Sequence, residues 1–136
     1  MARVLIVEDE LIDRIILERI VQSAGHDVYL ASGGEQALHV YMGASIDVDI
    51  ETRIDVIVTD LQMPGVDGLE VMEALRPLFP DVAIIIVSGK GPELLAAAKD
   101  AGALVALSKP VDAQDLLEAI AQAAPEDSVR PPTEGS

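Results

Sequence analysis

Short apolar runs alternate along this chain with longer stretches whose apolar residues recur every three or four positions. The runs at residues 4–7, 27–31, 55–59, 82–87 and 104–107 read as strands. The run at 55–59 is almost entirely β-branched, as suits a strand buried on both faces. The stretches at 11–24, 35–42, 67–78, 92–101 and 113–124 carry the helical period. In the first, Ile12, Ile15, Ile16 and Ile20 share one face, which predicts the side that meets a core. Gly25 suits the position just past its last turn. Leu69, Met72 and Leu75 give the third helix its stripe, and Pro77 and Pro80 help end it. Pro92 fits the first turn of the fourth, whose Leu94, Leu95 and Ala98 are packing residues. Asp112 predicts an N-cap for the fifth, with Leu116, Leu117, Ile120 and Ala124 in its stripe. Regular alternation of strand and helix predicts an α/β protein built on a parallel sheet.

Two segments break the alternation. Residues 43–53 contain Ile46-Asp47-Val48-Asp49-Ile50-Glu51, an apolar–acidic alternation with a strand period. It reads as an insertion: an extra edge strand, a hairpin arm or an ordered loop, with its acidic residues in water. A partner surface is the alternative use. Residues 125–136 carry prolines and little apolar content, and read as a frayed tail after a domain at 1–124.

The strands end at chemically pointed residues. The first stops at Glu8-Asp9-Glu10, the third at Asp60, the fourth at Ser88-Gly89 and the fifth at Lys109-Pro110. In an open parallel sheet, ligands lie outside the carboxyl ends of the strands. If these runs are neighbours, several carboxylates, one hydroxyl and one ammonium converge on one small site. Taken singly, each residue has an ordinary role as a cap, a turn or a surface charge. Their succession at strand ends is what points to a site. Two carboxylates about 4 Å apart repel by roughly 4 kcal/mol at an effective dielectric near 20. Such a cluster needs a counter-charge, and Mg²⁺ and Lys109 are the natural ones. A carboxylate beside both stays ionised and can act as a nucleophile towards phosphorus.

Composition narrows the possibilities. With 136 residues, half of them hydrophobic, one domain with a sizeable core is expected. The chain lacks cysteine, which excludes disulfides and thiolate metal sites. A net charge of −15 with nine scattered basic residues argues against direct nucleic-acid binding, and favours a partner with a basic face. An apolar strand beginning at the third or fourth residue leaves no room for a signal peptide. No run approaches the ~18 apolar residues of a membrane span, so a cytoplasmic protein without membrane insertion is expected. His26 lies beside a turn glycine and His39 within a helix, and neither joins a ligand cluster.

Four motifs carry a resemblance: Val4-Leu-Ile-Val-Glu-Asp-Glu10, Val58-Thr-Asp-Leu-Gln-Met-Pro-Gly-Val-Asp-Gly-Leu-Glu70, Ile86-Val-Ser-Gly89, and Ala101-Gly-Ala with Leu107-Ser-Lys-Pro110. The chain resembles a response-regulator receiver (CheY-like) domain of two-component phosphorelays, over residues 1 to about 124. The resemblance implies a doubly wound, flavodoxin-like, five-stranded parallel sheet in the order 2-1-3-4-5, with helices on both faces. That order sets strands 1 and 3 side by side at the switch point. By position, Asp60 would be the phosphoacceptor. Asp9, Asp60 and the backbone carbonyl of Gln62 would ligate Mg²⁺, and Glu8 would act through a metal-bound water. Ser88 would be the switch hydroxyl, Lys109 the lysine that meets the phosphoryl group, and Pro110 a cis-proline. Gly65 and Gly68 would serve the turn after strand 3 where positive φ is needed. The implied donor is a sensor histidine kinase or a histidine phosphotransfer protein. The output would be a changed binding surface for a downstream protein, or onward passage of the phosphoryl group. A signalling phosphoacceptor is expected, with only self-catalysed phosphorylation and dephosphorylation.

Three departures accompany the resemblance. Ala106 stands where the family often has an aromatic switch residue, the 43–53 segment is long, and no effector domain follows, which suggests a stand-alone or excised receiver. Competing functions fit less well. A phosphatase of the haloacid-dehalogenase kind needs a second aspartate where Gln62 stands. A flavodoxin-like cofactor binder needs a phosphate loop, and Glu8-Asp9-Glu10 would repel the phosphate. A pseudo-receiver would not need the full set of acidic, hydroxyl and lysine groups.

Overall fold

The computed structural model describes residues 1–46, 53–89 and 91–124. Five strands and five helices alternate: β1 (Arg3–Val7), α1 (Leu11–Ser23), β2 (Asp27–Ala31), α2 (Gly34–Ile46), β3 (Val56–Asp60), α3 (Gly68–Leu75), β4 (Ile84–Ser88), α4 (Pro92–Asp100), β5 (Val105–Ser108) and α5 (Ala113–Ala123). All four strand pairings are parallel, in the order β2-β1-β3-β4-β5. The expected fold and strand order are therefore present.

Side chains of the central strands alternate between two cores, as the two-residue period requires. Leu5, Val7, Ile57, Ile84 and Ile86 face Tyr41 of α2, Met72 and Leu75 of α3, and Ala98 of α4. Val4, Ile6, Val56, Val58, Ile85 and Val87 face Leu17 and Val21 of α1, and Leu116, Ala119 and Ile120 of α5. Each of these strand residues is fully buried, which explains their continuous apolar sequence.

The predicted packing face of α1 needs correction. Leu17 and Val21 are its buried residues, with Ile20 partly buried. Ile12, Ile15 and Ile16 are exposed together with Leu11. The helix carries apolar residues on more than one face, and those named on its first turns are exposed. Helix α2 is longer than expected and takes in residues 43–46. The rest of the alternating segment, 47–52, lies outside the described residues, as does the 125–136 tail.

Helix α3 is shorter than expected. It ends at Leu75, and Leu78 and Phe79 both donate back to the Leu75 carbonyl. The Arg76 guanidinium then donates to the carbonyls of Pro80, Val82 and Gly102, tying this end to the neighbouring layer. Gly25, Gly65 and Gly102 have positive φ. Gly68 does not. It opens α3, and a Cβ there would sit 2.6 Å from the Asp60 carbonyl oxygen. Close approach, not positive φ, accounts for glycine at this position.

Candidate functional site

The carboxyl ends of β1, β3, β4 and β5 form the site. Asp60 is the last residue of β3, and Ser88 the last of β4. Both are buried, as is Glu8 just past β1. Asp9 is exposed at the rim. Asp60 aligns with Val87 across the β3–β4 pair, and Ser88 with Ser108 across β4–β5. The Lys109 amide donates to the Ser88 carbonyl at 2.8 Å, and the Lys109–Pro110 bond is cis, as the resemblance implied.

Lys109 binds these ends together. Its Nζ donates to Asp60 Oδ2 at 2.8 Å, to Glu8 Oε1 at 2.9 Å and to Asp13 Oδ2 at 2.9 Å. All three ammonium hydrogens are thus committed to different carboxylates. The other oxygen of Asp60, Oδ1, accepts from the Gln62 amide at 3.1 Å, and Glu8 Oε2 accepts from the Glu10 amide at 3.2 Å. The Asp60 backbone carbonyl accepts from the Thr59 hydroxyl. Asp67 caps α3 through a reciprocal box with Glu70, which fixes the loop following Asp60.

The electrostatics follow from burial. Burial pushes the Glu8 carboxyl above its ordinary value, and the Asp60 charge adds to the rise. The Lys109 hydrogen bond and the Glu10 amide pull the other way. For Lys109, burial alone would lower the pKa, but hydrogen bonds to Asp60, Glu8 and Asp13 outweigh it. The ammonium is held above its ordinary value.

Glu8, Asp9 and Asp60 each offer an oxygen, and these oxygens lie within 4.8 Å of one another. Three carboxylates share the Lys109 ammonium and Asp9 joins two of them at the rim, so the carboxylates of the cluster outnumber its one ammonium. A hard divalent cation with oxygen ligands fits that donor set. Among the described residues, no helix is long and apolar enough to cross a membrane.

Glu8, Asp9, Asp60 and Lys109 come together as the strand-end pattern predicted. Asp13 was not foreseen. It lies in the first turn of α1, where an aspartate has an ordinary reading as a helix-start residue in water. Ala106 is partly buried and packs on the α3–α4 side of the sheet. It borders a shallow cleft of about 340 Å³ with Leu95, Ala96, Lys99 and Val105.

The chain matches the response regulator receiver domain model over residues 4–121. It is 32% identical over 127 residues to the sensory/regulatory protein RpfC of Xanthomonas campestris, covering 90% of this chain but 16% of that protein's length. It is 28% identical over 119 residues to sporulation initiation phosphotransferase F of Bacillus subtilis, covering 87% of this chain and 90% of that one. Among solved structures, a receiver domain protein from Clostridium thermocellum superposes with a TM-score of 0.79 at 30% identity, covering 90% of this chain and 94% of its own. TrrA from Thermotoga maritima, in complex with Mg²⁺-BeF, gives 0.78 at 26% identity, covering 90% and 99%. An acidic cluster and a lysine at the ends of β1, β3 and β5, on a sheet ordered 2-1-3-4-5, are what such a match predicts, and the chain belongs to the response-regulator receiver family, the phosphoacceptors of two-component signalling.

Proposed function

We propose that Asp60 is the phosphoacceptor of a receiver spanning residues 1–124. The Lys109 ammonium, bonded at once to Asp60 and Glu8, is the observation that carries this reading. It marks Asp60 as the carboxylate at the focus of the site and holds one of its oxygens beside a fixed positive charge. The step is an in-line displacement. An Asp60 oxygen forms a bond to phosphorus, and the donor's phosphorus–nitrogen bond breaks with its electron pair leaving on imidazole. Lys109 is placed to meet the incoming phosphoryl oxygens, since it already bonds the carboxylate proposed to be phosphorylated.

Glu8, Asp9, Asp60 and the Gln62 carbonyl are the proposed Mg²⁺ site, with Glu8 acting through water. Bound there, the cation would neutralise charge on the acidic cluster and on the phosphoryl oxygens. The Mg²⁺-BeF complex of TrrA supports the same metal here. Ser88 is the proposed switch hydroxyl, because it ends β4 and its backbone is tied to Lys109. The donor is a sensor histidine kinase or a histidine phosphotransfer protein, as suits the receiver family, and the chain meets it in the cytoplasm. The chain receives a phosphoryl group and signals with it; no further substrate is turned over.

Intact-mass spectrometry tests the assignment. Acetyl phosphate with Mg²⁺ adds a single phosphoryl group to the parent, and Asp60→Asn removes the mass shift. Equal labelling of the Asn variant would refute Asp60.

A further inference from the structure

Phosphoryl transfer to Asp60 accounts for two of the three carboxylates on Lys109. The third, Asp13, has no part in that chemistry. Its side chain is 37% exposed, against 0% for Glu8 and 11% for Asp60, so of the three it is the one most open to the solvent from which donors arrive. It lines a small recess with Ile16, Leu17, Lys109, Pro110 and Val111. Asp13 Oδ2 and Asp60 Oδ2 share one nitrogen, which keeps the two carboxylates within about 5 Å of each other. The buried Glu8 and Asp60 also hold Lys109, so the ammonium keeps two carboxylate partners without Asp13.

We propose that Asp13 is a selectivity residue that disfavours small, highly anionic phosphodonors relative to donors whose leaving nitrogen is protonated. The inference rests on Asp60 being the phosphoacceptor. With any donor, an Asp60 oxygen bonds to phosphorus and the leaving group departs with the electron pair of the broken bond. Acetyl phosphate arrives as a dianion and releases acetate, which is itself negative. Phosphoramidate and phosphohistidine carry a proton on the leaving nitrogen and release a neutral amine or imidazole. The Asp13 charge opposes the first kind along the whole approach. It is offset in the second by the positive nitrogen. Asp13 also draws on the Lys109 charge that would otherwise attract the donor's phosphoryl oxygens.

The test compares acetyl phosphate and phosphoramidate at saturating Mg²⁺, with initial rates read by intact mass and Mg²⁺ affinity measured separately by NMR titration. Asp13→Asn is expected to raise kcat/KM for acetyl phosphate about two- to fivefold, the range for a partly exposed charge, mostly through a lower KM. Phosphoramidate should gain much less. Raising the ionic strength to about 0.5 M should shrink the acetyl phosphate gain, because the screening length falls to a few ångströms. Asp13→Glu should keep the parent's discrimination. Equal loss with both donors would overturn the proposal and make Asp13 a simple anchor for Lys109. An equal gain with both donors would also overturn it. If neither donor labels the parent, the Asp60 reading itself fails; if the parent is labelled but Asp13→Asn discriminates as the parent does, only the Asp13 inference fails.

Discussion

Glu8 shows what the site costs its own fold. It is fully buried, its carboxyl is raised by burial and by Asp60, and among the described residues Lys109 is its ion-pair partner. A buried ion pair of this kind is weak evidence for stability. Glu8→Gln keeps an acceptor for Lys109 and removes the repulsion with Asp60. We expect it to stabilise the metal-free protein by about 1 kcal/mol in urea titrations while weakening Mg²⁺ binding. Loss of stability together with unchanged Mg²⁺ affinity would contradict this. At the far end of β1, His26 Nδ1 accepts from the Ala2 amide. Burial, then the nearby amino terminus, lowers the His26 pKa below its usual 6.5. A histidine depressed in the folded state contributes stability that is present above 6.5 and lost as pH falls through the folded value. The thermal midpoint should drop between about pH 7 and 5.5, and His26→Asn, which retains an acceptor at the same place, should flatten that drop. Residues at strand ends were legible in the sequence because strand ends are where parallel sheets collect chemistry. Asp13 was not, because a helical aspartate near the start of a helix has an ordinary solvated reading, and its bond to Lys109 spans 96 positions.

Helices were legible in existence and less so in extent. The strands are bounded by sharp composition changes, whereas helix ends depend on carbonyls and caps. For α3, the apolar period continues through Leu78, but Pro77 lacks an amide hydrogen and Arg76 turns to hold Pro80, Val82 and Gly102. For α1, period alone could not choose between two apolar faces. What decided the packing was which face the sheet reached, a tertiary property. The start of α3 is where element geometry meets the site. Asp67 and Glu70 cap it reciprocally, and Gly68 lets the helix approach the Asp60 backbone. Adding a methyl group there forces the helix start or Asp60 to move. Gly68→Ala should destabilise by about 1–3 kcal/mol, the usual cost of overpacking, and should slow labelling of Asp60. If denaturation and labelling rates both match the parent, the loop tolerates the methyl and the close approach has no functional weight.

At the scale of the molecule, the sheet gathers the acidic site at the carboxyl ends of its strands, with an exposed apolar surface beside it. Leu11, Ile12, Ile15 and Ile16 are exposed on the first turns of α1, and Ile16 lines the same recess as Asp13 and Lys109. A contiguous exposed apolar surface commonly marks a place where another protein packs. Its position beside Asp13 and Lys109 suits contact with the proposed phosphohistidine donor. The net charge of −15 favours a donor with basic residues around that contact, steered by long-range attraction. A surface used only for docking can be altered without harm to the fold or the chemistry. The paired substitutions Ile12→Ser and Ile16→Ser should therefore change stability by no more than about 0.5 kcal/mol and leave acetyl phosphate labelling intact. Transfer from a phosphorylated histidine kinase or phosphotransfer protein that labels the parent should fall at least about tenfold, the equivalent of losing ~1.4 kcal/mol of contact energy. Radiolabel transfer assays with both donor types separate the two effects. Equal transfer to parent and variant would remove α1 as the docking surface. A parallel loss with acetyl phosphate would instead show that the isoleucines support the site itself.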